Sequence, residues 1–376
     1  MANTLTNLTP DLYEALDTVS RELVGMIPAV TLDASAARAA KGQTIRSAVA
    51  PSAAAADITP AQKAPDTGDQ VIGNKTLSIS KSRGVAIRYN GEEERGLNTG
   101  PGYNSILQNQ FAQAMRTLTN EVEADLAGLY AQASRAYGTA GTTPFGTAGD
   151  FSDASNALKI LKDNGSPLTN NQLVVSSAAG ASMLGLQSRV DVQGNDSMLR
   201  QGVMLSTAGM DIRESAQINA HTKGTGDSYV TNGTFAVGAT EIDVDGGTGT
   251  IVAGDVITFA GDANKYLVTE ALAAGTVTIA APGLQAALAD GVAATVGNDF
   301  AANIAFNRDS IVLVTRAPAR PLEGDLAEDV MLMTDPRSGI TFEVSMYKEY
   351  RQVHFEVALA WGVSAIKPEH MAVLLG

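Results

Sequence analysis

The residues that could do chemistry in this 376-residue chain are few and far apart. Its three histidines, His221, His354 and His370, stand at no metal-ligand spacing, and none neighbours a nucleophile and a second base in sequence. His354 falls in the alternating run Val353-His354-Phe355-Glu356, which reads as a half-buried strand. There is no cysteine, which excludes disulfides, thiolate nucleophiles and cysteine-ligated zinc. Gly91 and Gly96 have the separation of a phosphate loop, but Leu97 stands where the lysine belongs. Asp243-Val244-Asp245-Gly246-Gly247 has the start of a calcium loop, yet Gly254 occupies the position of the closing acid. It reads instead as a strand followed by a tight turn. Neither a catalytic centre, a cofactor site nor a metal site is expected.

The remaining charged clusters suit contact better than catalysis. Lys75, Lys81, Arg83 and Arg88 are spread along strand-like sequence, and Glu92, Glu93, Glu94 and Arg95 follow directly. The glutamate run is either a solvated loop or the partner of a basic patch on a neighbouring copy. The formal net charge of −14 and the absence of a dense Lys/Arg cluster speak against phosphate neutralisation as the main task, so no specific nucleic-acid binding is expected. No apolar run approaches the ~18 residues that span a bilayer, and residues 1–10 lack a charged-then-apolar leader pattern. A cytoplasm-like setting is expected.

These residues must be positioned by a chain of changing texture. Residues 5–26 carry a capping signal, Thr9-Pro10-Asp11, and apolar residues at helical spacing, and Pro28 closes the segment. Residues 29–70 are rich in small and polar residues, with breaks at Pro51, Pro60 and Pro65 and a possible helical turn at Ala53-Ala54-Ala55-Ala56. They read as an arm with little core of its own. Residues 76–80 and 85–89 alternate, and 81–84 could link them, so a projecting hairpin is expected.

From Tyr103 through Leu107, Phe111, Met115, Leu118, Val122, Leu126, Leu129 and Ala133 to Tyr137, every apolar step is three or four residues. This predicts one long helix, on the order of 50 Å, backing a sheet. Helices are expected at 152–162 and 178–188, and strands at 172–176 and 213–218. Between 223 and 300 the composition turns to short β-prone runs separated by Gly and Asp: 234–237, 241–244, 255–259, 265–268, 276–279 and 293–296. That spacing suggests a small barrel or sandwich inserted into a parent domain. Long strands are expected at 310–316, 330–334, 340–346 and 352–359, with 335–339 as a hairpin link and an apolar tail at 368–375.

Arm, hairpin, helix 103–137, α/β region and closing strands come in an order that resembles the Hong Kong 97-type major capsid proteins of tailed double-stranded-DNA phages. The resemblance is strongest in 103–137 and in the end block from Asp335-Pro336-Arg337-Ser338-Gly339-Ile340 through Trp361-Gly362-Val363 to Pro368-Glu369-His370. The β-rich segment resembles the extra barrel of some short-tailed phage coat proteins. The resemblance implies an α+β fold divided as follows: N-terminal helix and arm 1–69, extended hairpin loop 70–100, spine helix of the peripheral domain 101–140, axial α/β domain 141–222, inserted β-barrel 223–300, and return strands 301–376.

It also implies a non-enzymatic virion subunit, assembled in the host cytoplasm as pentamers and hexamers of an icosahedral shell around packaged DNA. The implied partners are a separate scaffolding protein, a portal protein and decoration proteins, and the precursor shell expands on maturation. Lys75, Lys81, Arg83, Arg88, Glu92, Glu93, Glu94 and Arg95 are the candidate intersubunit contacts. The alternatives are an encapsulin-like nanocompartment shell, a tail-tube or adhesin-like protein, against which the long helix speaks, and a hydrolase, against which the missing constellation speaks.

Overall fold

A computed structural model describes residues 24–49, 73–97, 103–147, 150–187, 205–207, 209–334 and 339–376. The expected helix at 5–26 lies outside these residues up to position 23, as do the turn at 53–56 and most of the link 335–339. The helices among the described residues are α1 (Gly91–Leu97), α2 (Tyr103–Ala127), α3 (Ser152–Asp163) and α4 (Ser177–Gln187).

The chain alternates helical and strand periods so that two sheets meet on α2. In the first sheet the order is Thr31–Ala39, Ile311–Pro318, Gln352–Ala365, Thr341–Glu349, Ala327–Thr334, and Lys81–Asn90 pairs along the other edge of the long strand Gln352–Ala365. Odd-numbered residues of that long strand, Phe355, Val357, Leu359 and Trp361, are buried against the apolar stripe of α2. Phe111 meets Phe355 edge to face, with ring centroids 5.5 Å apart.

The second sheet runs Leu205–Thr207, Met210–Glu214, Asn171–Val175, Phe300–Asn307, Met371–Leu375, Arg135–Tyr137. Its central strands, Asn171–Val175, Phe300–Asn307 and Met371–Leu375, are buried almost throughout because both faces are covered. Val174, Ile304, Phe306, Met371 and Val373 point into the core shared with α2, and their neighbours Leu173, Val175, Ala305, Ala372 and Leu374 point to α3 and α4.

Several expectations need correction, among them the strand at 213–218, which is Met210–Glu214. Helix α2 is 25 residues long, about 37 Å rather than 50 Å, and ends at Ala127. Gly128–Gln132 is a 3-10 turn and Arg135–Tyr137 a strand. The apolar spacing runs on past the helix because Leu129 and Ala133 are buried in the same core whatever their backbone conformation. The hairpin is not 76–80 against 85–89: Gly73–Ser78 pairs with Thr44–Val49, and the supposed link 81–84 is the start of the continuous strand Lys81–Asn90. Part of the arm, Thr31–Ala39, joins the first sheet of its own chain, parallel to Ile311–Pro318.

The β-rich stretch closes on itself. Tyr229–Thr231 pairs with Glu241–Asp245, which pairs with Thr276–Ile279, then Lys265–Ala273, Val256–Phe259, Ala293–Val296 and back to Tyr229–Thr231, every pair antiparallel. A six-stranded barrel results. It has its own core, with Ile242, Val244, Ile257, Phe259, Tyr266 and Val277 inside. The expected strand 234–237 is only a bridge from Phe235 to Leu288, and the strand actually used is Tyr229–Thr231. The chain enters through Ala220–His221 and leaves through Phe300, and these two segments pair with each other.

Candidate functional site

The Thr44–Val49/Gly73–Ser78 ribbon is the least supported element among the described residues. Its strands pair only with one another. Its base is firmly held: Gly42 N–H donates to the Ile79 carbonyl at 2.9 Å, Ile79 N–H to Gln43 at 3.0 Å, and Ser80 N–H to Trp361 at 3.1 Å. Ile79 is buried with Ala39 and Ala360. Gly362 is required there because a Cβ would come within 2.2 Å of the Ser78 carbonyl oxygen. A two-stranded ribbon on a rigid base has no core to stabilise it beyond that base.

Past the ribbon, Lys81–Asn90 is locked to α2. Lys81 Nζ lies 2.7 Å from Asp125 Oδ1, and Arg83 lies 3.3 Å from Glu121. Alternate strand residues recur at nearly the same interval as helical residues four apart, so the two pairs form a ladder. The other oxygen of Asp125 accepts the indole N–H of the fully buried Trp361 at 2.8 Å. Tyr89 donates to Gln110 from the same strand.

Of the sequence-predicted contact residues, Lys81 and Arg83 are thus brought to the helix of their own chain. Lys75 sits on the ribbon opposite Ser47, and Arg88 is exposed opposite His354. The glutamate run is a helix start. Asn90 Oδ1 accepts from Glu92 and Glu93 N–H at 3.0 and 2.8 Å, and Glu93 returns by accepting Asn90 N–H at 3.0 Å. This is a capping box, and three acids in the first turn also suit the helix dipole. Glu92 and Glu94, with Lys348 and Arg351, line an open cleft beside it, whereas Arg95 closes the last turn of α1.

Two buried polar arrangements escape the sequence, which offers only His221 of their members as a candidate. Glu123, on α2 and 1% exposed, accepts the backbone N–H of Met26 at 3.1 Å and of Ile27 at 2.7 Å, and the Ser215 hydroxyl at 2.8 Å. Burial pushes its carboxyl above the usual range, against the pull of these donors. It ties the N-terminal strap 24–30 to the helix. At the foot of the barrel, Tyr130, His221 and Asp255 form a chain, with Tyr130 Oη 2.8 Å from His221 Nδ1 and His221 Nε2 2.8 Å from Asp255 Oδ1. Asp255 also accepts N–H groups of Gly224 and Val252.

The Tyr130–His221–Asp255 order has the look of an activated nucleophile, but burial and Asp255 both push the Tyr130 hydroxyl up, away from ionisation. The chain is a pin that joins the helix end, the stem and the barrel. No local motif marks either group, because every partner is distant in sequence.

Asp243 accepts from Thr276 on the adjacent antiparallel strand, and Gly246 has a positive φ of 69°, so that segment is a strand and turn. Among the described residues no set of three His, Asp or Glu side chains is placed to hold a metal ion, and no helix is long and apolar enough to cross a membrane.

No family model and no curated protein matches the sequence. Solved structures do. The capsid of the cyanophage P-SCSP1u is similar over 92% of this chain and 86% of its own, with 11% identity and a TM-score of 0.47. The mature capsid of bacteriophage PhiM1 covers 93% and 86% with 13% identity and a TM-score of 0.43. A virus-like particle from Pyrococcus furiosus covers 96% and 97% with 13% identity and a TM-score of 0.41. At scores below 0.5 these likenesses carry no weight of their own, and function must be argued from the molecule.

Proposed function

We propose that this chain is a structural subunit that assembles with copies of itself into a closed shell, as the major capsid protein of a tailed double-stranded-DNA phage. The observation that carries the reading is the ribbon Thr44–Val49/Gly73–Ser78, which stands on a rigid base with both outer edges unpaired by any described residue. Such a ribbon is marginal in water and invites pairing with another chain. A soluble enzyme gains nothing from it, whereas a shell subunit gains a clasp. Contacts of this kind, repeated around a closed surface, hold far more tightly than any one of them.

In this reading the fold is of the Hong Kong 97 type. The first sheet with α2 is the peripheral domain, the second sheet with α3 and α4 is the axial domain, and the barrel is an inserted domain. The net charge of −14 suits a wall that contains DNA without gripping it. Subunits form pentamers and hexamers of an icosahedral shell in the virion, through a scaffold-assisted precursor that expands. Portal and decoration proteins complete the set of partners.

The test is sedimentation and electron microscopy of the purified chain, alone and with the product of its neighbouring gene. Closed particles are expected. Residues 43 and 79 meet at the ribbon base, so replacing 44–78 with a short link should leave a folded subunit that forms no particles. A wild-type chain that stays monomeric, or a ribbonless chain that still builds shells, defeats the reading.

A further inference from the structure

The three most exposed large apolar side chains among the described residues, Leu322, Tyr350 and Leu326, belong to one end of one sheet. Leu322 and Tyr350 sit on two tight turns, and Leu326 lies just after the first, at the foot of the strand Ala327–Thr334. In the first, Gly324 N–H donates to the Pro321 carbonyl at 3.1 Å, which puts Leu322 and Glu323 at the apex, and Gly324 takes the positive φ of 86° that follows such a turn.

In the second turn, Glu349 and Gln352 are a paired register position, so Tyr350 and Arg351 are the two loop residues of a hairpin. Arg351 takes a φ of 60° and lies 6.0 Å from the Tyr350 ring centroid.

Both turns are held from behind. Arg320 reaches Asp325 at 3.0 Å and the buried Glu343 at 2.8 Å, and Asp325 also accepts the Tyr347 hydroxyl at 3.1 Å. The Arg351 carbonyl accepts Gly91 N–H at 3.2 Å. Each apex therefore offers one apolar and one charged side chain on a rigid mount, and the charges are opposite. Among the described residues neither Glu323 nor Arg351 has an ion-pair partner, whereas Asp325 and Lys348 nearby are already paired.

We infer that the two turns are the halves of one contact between copies, in which Tyr350 and Arg351 of one subunit seat against Leu322 and Glu323 of the next. Tyr and Arg are the residue types that anchor interfaces, and little rotamer freedom is lost when their backbone is already fixed. Opposite charge sets the register, and where each copy turns its second patch to a third copy the contact propagates head to tail and can close a ring. The inference rests on the self-assembly reading and names one of its contacts.

The chain has no cysteine, so a direct test is available. Copies carrying Glu323→Cys are mixed with copies carrying Arg351→Cys, assembled and oxidised. Cross-linked dimers are expected from the mixture and not from either variant alone. In parallel, Arg351→Glu and Glu323→Arg should each lower the assembled fraction about tenfold by facing like charges, and the double swap should restore it.

Particles that form without the mixed cross-link, or single reversals that assemble like wild type, overturn the contact and leave the shell reading standing. Loss of assembly without recovery in the double swap also overturns it. A wild-type chain that neither assembles nor cross-links overturns both.

Discussion

The barrel and the ribbon are both antiparallel β structure built from polar, glycine-containing sequence, yet they stand at opposite ends of self-sufficiency. The barrel's strands from Tyr229 to Val296 pair in a ring, which removes every edge, and Ile242, Ile257, Phe259 and Tyr266 fill its interior. The ribbon pairs Thr44–Val49 with Gly73–Ser78 and, among the described residues, with nothing else. Closure satisfies the backbone within the chain. An open pair leaves a row of donors and acceptors for a neighbour.

The largest effect that would sharpen this contrast is Leu118→Asp. Leu118 is 1% exposed on α2, between the two sheets, and an unpaired charge there costs several kcal/mol. The parent fold should be lost while the barrel, with a separate core, keeps its hydrogen-exchange protection. Loss of both together would show that the barrel depends on its parent.

Next is Ile257→Ala in the barrel, expected to cost about 2–5 kcal/mol as a core truncation. Exchange should quicken in 229–296 and stay slow in α2. Uniform weakening across the molecule would mean the two cores act as one.

At the ribbon, Gly362→Ala forces a methyl group against the Ser78 carbonyl and should cost about 1–3 kcal/mol, confined to the ribbon base. Limited proteolysis should then cut near 42–45 first. An unchanged cleavage pattern would mean the base yields easily.

The smallest effect concerns Glu123. Its carboxyl is raised by burial above 4.5, so the folded state holds the proton more tightly than the unfolded chain. The stability from this linkage is full below the unfolded pKa and is lost as pH rises through the raised folded value. Denaturant midpoints for wild type should fall relative to Glu123→Gln as pH rises above about 4.5. Parallel curves would place the carboxyl at its ordinary pKa.

Much of the fold is legible locally. The Leu107–Phe111–Met115–Leu118–Val122 stripe marks α2, and the Gly- and Asp-punctuated runs after 223 mark the barrel strands, because both periods follow from backbone geometry. The ribbon was misread because alternation shows that 76–80 and 85–89 are strands, not whom they pair with. The sequence cannot show that Lys81 and Arg83 meet Asp125 and Glu121, because those partners lie about forty residues on. The Glu92–Glu94 run carried its own cap, Asn90 three residues before Glu93, a signal that was readable.

Composition and periodicity by themselves determined that this is an acidic, cysteine-free α+β chain with a long amphipathic helix and a β-rich segment between α/β parts, since those properties depend on neighbours within a few residues. Which strands meet, that the barrel closes, that Tyr130, His221 and Asp255 join at its foot, and that the ribbon finds no further partner among the described residues were decided only in three dimensions. Strand pairing and buried polar contacts join residues tens to hundreds of positions apart, and their energies depend on what the rest of the chain leaves uncovered.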